Sequence, residues 1–299
     1  MIRIATAALL AGTLLASVPA AAQGLSKSEK VIDRTVDAEF ERSVALLARL
    51  VDQNSGTLNL QGVTRVGEMM RAELEPLGFA VSWKPMDAVQ RAGHLIAVHR
   101  GKPGGRRILL IGHLDTVFEP GSPFQKFVRT GDRAEGPGAG DDKGGMVVIV
   151  AALRAMQAAG TLKDANIEIV LTGDEEDAGS PQSVARADLI AAGKRADVAL
   201  DFEGLVVDGG KDMGSIARRS VTDWRITATG KTGHSSLIFG PDFGDGAINE
   251  LARILAAFRK ELPEPNLTFN AGVIAGGASA SIDESGNARA AGKTNIIAG

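Results

Sequence analysis

Four short stretches hold most of the residues able to do chemistry, and each follows or enters a regular element. Gly112-His113-Leu114-Asp115-Thr116-Val117 comes after the apolar run 108–111, and Thr172-Gly173-Asp174-Glu175-Glu176 after the run 169–171. Asp201-Phe202-Glu203-Gly204 comes after the run 198–200, and the glycine-rich stretch 136–145 carries Asp141, Asp142 and Lys143 into a helical pattern. In an extended segment residues i and i+2 share a face, so Asp115 can hold His113 in one tautomer, as metal-binding imidazoles require. The glycine-rich stretch competes as a phosphate cradle, but Lys143 is followed by Gly-Gly, which breaks the P-loop pattern. Its glycines fit better as a way to bring Asp141 close to a metal. One imidazole with several carboxylates suits a divalent ion, Zn²⁺ most naturally, and without a cation so many acids would repel one another.

The elements that must position these groups alternate in type. Residues 29–53 and 62–77 have helical apolar spacing, the latter ending at Gly78; residues 94–98 and 107–112 read as strands. A helix over 145–159, a buried strand over 167–171, a helix over 183–192 and a strand over 198–200 follow. The alternation predicts an α/β fold, a mostly parallel sheet flanked by helices, whose ligands gather beyond the strand ends. After Gly209 the pattern changes: a half-buried strand over 220–230, an amphipathic helix over 246–262, a strand over 266–274, a polar glycine-rich loop over 276–292, and the start of a strand at 294–297. These predict a smaller α+β unit, and the division is 1–22, 23–213 and 214–299.

Residues 1–22 are expected to be a cleaved secretory signal peptide, with a basic start at Arg3, an apolar run too short to span a bilayer, and an A-x-A site before Gln23. This implies an exported protein, periplasmic or secreted, with no stable membrane anchor. The chain has 299 residues, a net charge of -3, 44% hydrophobic residues and 4% aromatics. That balance describes a globular protein and excludes both the basic footprint of a general nucleic-acid binder and an aromatic stacking platform. The sequence has no cysteine, which excludes disulfides, thiolate metal sites and a cysteine nucleophile, and no G-x-S-x-G elbow, which sets aside a serine hydrolase.

Together and in this order, the four motifs resemble the metal motifs of the M20 family of co-catalytic zinc metallopeptidases, nearest to its glutamate carboxypeptidase type, over about residues 42–295. The resemblance implies two Zn²⁺ ions in a complete site. It makes His113 a ligand of one, Asp141 the bridge, and Glu176 and Glu203 one ligand each, with Glu203 paired to His113. Glu175 becomes the general base, Asp115 the support of His113, and the Asp141–Asp142 peptide cis. The implied substrate is a small peptide or an N-acyl amino acid, cleaved by a metal-activated water. His234, in Gly-Lys-Thr-Gly-His-Ser-Ser, resembles the histidine of the family's lid and dimerisation domain that reaches into a partner subunit and stabilises an oxyanion, so a homodimer is expected of the complete protein. Asn295 resembles a substrate-binding asparagine, although its motif reads Asn-Ile-Ile-Ala without the family's proline.

The family's fifth ligand is a histidine near its C-terminus, and no histidine follows His234 here. The expectation is therefore a lid truncated at the C-terminus, in a fragment of a longer protein. The alternative is a catalytically incompetent metal- or substrate-binding remnant. His94 and His99, five apart on a strand, are read as structural; Arg218 and Arg219 could meet a carboxylate but read better as a solvated pair.

Overall fold

A computed structural model describes residues 24–217, 220–283 and 286–299 and divides the chain into two compact units, 1–215 and 216–299. Residues 1–22, expected above to be a signal peptide, and Arg218 and Arg219 lie outside the described residues. Among those described, no helix is long and apolar enough to cross a membrane.

In the larger unit, α1 (Lys27–Ala38) starts at a capping box, in which the Ser26 hydroxyl accepts from the Glu29 N–H and the Glu29 carboxylate accepts from the Ser26 N–H. The single helix expected over 29–53 is two: the backbone leaves helical geometry at Glu39, and α2 (Phe40–Asp52) starts anew. Apolar spacing is the same on both sides of Glu39, so periodicity alone could not reveal the break. α3 (Leu60–Leu74) is capped by Asn59 and runs through a 3-10 turn to Gly78, whose left-handed φ of 90 ends it.

The strands are β1 (Ala80–Met86), β2 (Arg91–His99) and β3 (Arg107–His113), then a small hairpin of β4 (Val128–Thr130) and β5 (Arg133–Glu135). α4 (Lys143–Ala158), β6 (Asn166–Thr172), α5 (Gln182–Ala185), α6 (Ala187–Arg195) and β7 (Val198–Asp201) follow, then a second hairpin of β8 (Val206–Asp208) and β9 (Lys211–Met213). β1, which the sequence reading did not anticipate, edges a five-stranded sheet of order β1-β2-β6-β3-β7. Four strands point one way. β2 alone is reversed, so its two pairings are antiparallel while β6-β3 and β3-β7 are parallel.

Alternation along the strands supplies both faces of this sheet. Leu95, Ala97, Leu110, Ile169 and Leu171 join Leu46 and Leu50 of α2, Val66 and Met70 of α3, and Met146, Ile149 and Val150 of α4 in one core. Ile96, Leu109 and Val170 face the other way, against Ala192 and Leu189 of α6. Side chains of this size contribute roughly 1.5–3 kcal/mol each when fully buried. The carboxyl ends of β3 and β6 are therefore held on a packed base, while β7, exposed along its length, joins the sheet through its pairing with β3.

The smaller unit contains α7 (Gly246–Glu261) and a hairpin of β10 (Ser279–Ile282) and β11 (Ala288–Ala291). Strands expected over 220–230 and 266–274 do not form, and the segment expected to be a loop over 276–292 holds the hairpin instead. An alternating pattern selects two faces but needs a partner to close a ladder, and these two segments pair with none among the described residues. Residues 294–297 contribute one isolated antiparallel bridge, His234 to Ile296.

Candidate metal centre

β3 ends at His113, whose side chain is buried with 1% exposure. The backbone carbonyl of Asp115 lies 3.1 Å from its Nδ1 and the Asp115 carboxylate 3.3 Å away, so Nδ1 carries a proton and donates, which leaves Nε2 facing the cluster. Asp141 Oδ1 is 2.7 Å from Nε2 and Glu203 Oε1 is 3.6 Å from it. Ligand atoms of His113, Asp141 and Glu176 lie within 4.8 Å of one another, as do those of His113, Glu175 and Glu203. The strand ends thus bring together all four proposed ligands and the proposed base, and His113 belongs to both groups.

Asp115 is fully buried and does more than hold the imidazole. Its Oδ1 accepts from the Glu175 N–H at 3.0 Å, and its Oδ2 accepts from the Glu176 N–H at 3.1 Å and from the Thr57 hydroxyl at 2.7 Å. One carboxylate therefore sets His113 relative to the backbone of both glutamates. Thr57, which the sequence reading missed, sits where the 56–116 bridge brings the loop after α2 against the end of β3; no spacing along the chain signals a contact 58 residues away.

Asp142 also escaped a role. The Asp141–Asp142 peptide is cis, as the resemblance implied. The Asp142 Oδ2 accepts from the His113 N–H at 2.9 Å, while its Oδ1 is buried with no partner. Burial, with Glu203 and Asp141 nearby, pushes this carboxyl up to about 8, against the downward pull of His113. A Cβ on Gly112 would meet Asp142 Oδ2 at 2.5 Å, and one on Gly145 would meet Asp142 Oδ1 at 2.1 Å and the Phe202 carbonyl at 2.0 Å. Those two glycines are there for close approach. Lys143 is wholly buried, donates from Nζ to the Gln53 carbonyl at 2.8 Å, and is pushed down by burial to about 8.

The electrostatics fit a cation. Burial would lower the His113 imidazolium, but Asp115, Asp142 and Asp141 outweigh it and lift it to about 10. Burial raises Asp115, and its bonds from His113, Thr57 and Glu175 more than offset that, holding it below its ordinary value. Glu176 and Glu203 are both raised, by burial first and by Asp141 next. His113 Nε2 and Asp141 Oδ1 approach to 2.7 Å, and the donor set of one imidazole with carboxylates is what a divalent ion takes.

His234 and Asn295 are in the smaller unit and are exposed. There they are neighbours: the Ser235 N–H donates to the Asn295 carbonyl at 3.0 Å, and His234 Nδ1 accepts from the Ser236 N–H at 3.2 Å. His94 and His99 stay out of the cluster. His99 Nδ1 donates to the Ala165 carbonyl at 2.9 Å, and His94 is also committed to the backbone.

An open α/β sheet with a histidine and converging carboxylates at its strand ends defines a protein built to hold divalent metal. Comparison with known sequences agrees: residues 109–291 match the description Peptidase family M20/M25/M40, and the chain belongs to that family. Carboxypeptidase G2 of Pseudomonas sp. (strain RS-16) is 30% identical over 274 residues, covering 90% of this chain and 62% of that protein. A succinyl-diaminopimelate desuccinylase of Leptothrix cholodnii is 30% identical over 204 residues, 64% of this chain and 51% of that enzyme. The chain thus spans about half to three fifths of these relatives. Among solved structures, a tripeptidase from Staphylococcus aureus (TM-score 0.55, 18% identity) and the aminopeptidase PepT from Bacillus cereus (TM-score 0.55, 20% identity) each cover 86% of this chain, with 63% of their own length matched. They share its fold.

Proposed function

We propose that this chain carries the metal-binding half of a zinc-dependent hydrolase that cleaves an amide bond in a small peptide or an N-acyl amino acid, in the manner of a carboxypeptidase. The observation that carries the reading is the convergence of Asp141, Glu175, Glu176 and Glu203 on one buried imidazole at the strand ends. His113, Asp141, Glu176 and Glu203 would hold the metal, two Zn²⁺ in a complete site. When bound, the ions supply Lewis-acid polarisation of the scissile carbonyl and an acidified water. Glu175 would serve as the general base, taking a proton from the attacking water and returning it to the leaving amine. Asp115 keeps Glu175 in register with His113 through the Glu175 N–H. His234 serves as an oxyanion donor and Asn295 as a substrate contact in a homodimer, and the protein works outside the cytoplasm, in the periplasm or secreted, after cleavage near Ala22-Gln23.

Glu175→Gln tests the assignment, because it keeps shape and loses only proton acceptance. With zinc content and hydrolysis of dipeptides and N-acyl amino acids measured on this chain and on a C-terminally extended version, the variant should retain zinc and lose about 10²–10⁴-fold in rate. Loss of zinc would make Glu175 a ligand instead, which its distance to His113 and Glu203 permits. A second reading, metal binding without turnover, is favoured by one observation: both ligand groups draw on the same His113, so the described residues furnish one imidazole for two ions. Absence of hydrolysis from the extended version as well would select it.

A further inference from the structure

The reversed strand of the sheet has a consequence at the metal centre. Because β2 runs against β3 and β6, its first residues lie at the carboxyl ends of those strands, with Leu95 opposite Leu171. His94 therefore stands where β6 gives out and the chain departs into the segment that carries Glu175 and Glu176. The histidine is fully buried. The Gly173 N–H donates to its Nδ1 at 3.2 Å, and its Nε2 is 2.8 Å from the Ala185 carbonyl. An N–H can only donate and a carbonyl can only accept, so the ring is fixed with its proton on Nε2 and both nitrogens are used.

Gly173 and Ala185 are the two ends of the excursion between β6 and α6. We propose that His94 is a positioning residue of the metal centre: its imidazole ties Gly173 to Ala185 and thereby sets where Glu175 and Glu176 stand. This rests on reading Glu175 and Glu176 as site residues. A core leucine would fill the space but leave a buried N–H and a buried carbonyl unpaired. Other bonds stiffen the same excursion from within. Asp174 accepts from the Gly179 N–H at 2.8 Å and from Arg186 Nη1 at 2.5 Å, and Arg186 Nη2 donates to the Asp174 carbonyl. Three residues before His94, Arg91 donates from Nε to the Asp177 carbonyl at 2.7 Å. The start of β2 thus grips the excursion at Gly173, Asp177 and Ala185, while Asp115 takes the two glutamate N–H groups between.

The test uses His94→Phe, His94→Asn and His94→Gln in the present chain. It reads amide hydrogen exchange at Glu175 and Glu176, zinc affinity by chelator competition, and Tm. His94→Phe keeps a ring and removes both bonds; it should open the two glutamate amides to exchange while β3 and β6 stay protected, and should weaken zinc about 10–100-fold, the usual cost of losing a group that orients ligands. His94→Asn keeps an acceptor for Gly173 and should recover most of the protection at Glu175 and Glu176. His94→Gln keeps a donor for Ala185 and should recover less. Wild-type exchange and wild-type zinc affinity in His94→Phe, with only Tm lowered, would overturn the proposal. Should His94→Phe not fold, wild-type behaviour of both amide variants would overturn it equally. A wild-type chain that takes no zinc would defeat the metal reading, and the exchange measurements would still decide the role of His94.

Discussion

The larger unit surrounds its sheet with helices on both faces and buries the large apolar side chains of β6 and most of those of β2 and β3. The smaller unit buries two hydrophobic residues among those described, Ala247 and Ile297, and leaves Val221, Phe239, Val273 and Ile274 exposed. The candidate ligands lie on the first kind of platform and His234 with Asn295 on the second. The difference teaches where precision is needed: a metal centre requires donor atoms held to a few tenths of an ångström by residues that are themselves immobile, whereas a group that meets a substrate can stand on a looser support.

This contrast can be broken at several points. Asp141→Ala should have the largest effect, abolishing stoichiometric zinc binding by a carboxylate that touches His113 directly; tight retention of zinc, read by metal analysis after gel filtration, would remove Asp141 from the centre. Ile169→Ala, in the core beneath the site, should cost about 2–5 kcal/mol in denaturant unfolding. Ile248→Ala in α7 should change stability by no more than about 0.5 kcal/mol, as exposed sites do. Equal losses would mean that the smaller unit is packed as tightly as the larger.

A third effect concerns pH. In the metal-free protein His113 holds its proton up to about pH 10, so a metal must displace it. Zinc affinity should therefore rise from pH 6 to pH 8, by about tenfold per unit if one proton is released. Calorimetry in buffers of different ionisation enthalpy counts that proton, and a flat profile would mean that His113 does not ligate. The smallest effect belongs to His234→Ala, which should leave zinc affinity and Tm unchanged, since its exposed side chain bonds only the neighbouring Ser236 among the described residues. A weakened metal site in that variant would tie the smaller unit to the centre.

The parts legible in the sequence were those in which adjacent residues decide the outcome. Apolar runs such as 108–111 and 169–171 marked β3 and β6, and polar clusters just beyond them marked the site. The i, i+2 spacing of His113 and Asp115 also translated into a contact. What escaped depended on residues far apart in sequence. β1 reads as an unremarkable mixture and becomes a strand only because β2 offers it an edge. The direction of β2, which delivers His94 to the site, is a property of chain topology that no local pattern carries. Segments 220–230 and 266–274 show the reverse failure: each has a strand-like alternation, and neither finds a ladder. The face of its strand says little about His94, because the backbone beyond the end of the neighbouring strand decides its surroundings.

The two glycines that flank the Asp142 carboxyl limit how this protein can vary. Gly112 lies against one oxygen and Gly145 against the other, so a methyl group at either position occupies space already taken. Neither clash is with the far end of a long side chain that could swing aside, and at Gly145 the second obstacle is backbone. In a library randomised at positions 112, 142 and 145, alanine at 145 should fail in every combination, because the Phe202 carbonyl stays in its way, and alanine at 112 should survive only together with a residue smaller than aspartate at 142. That exchange would remove the acceptor of the His113 N–H. The three positions therefore form a linked combination, and substitutions that leave the metal centre intact should fall away from positions 112, 142 and 145.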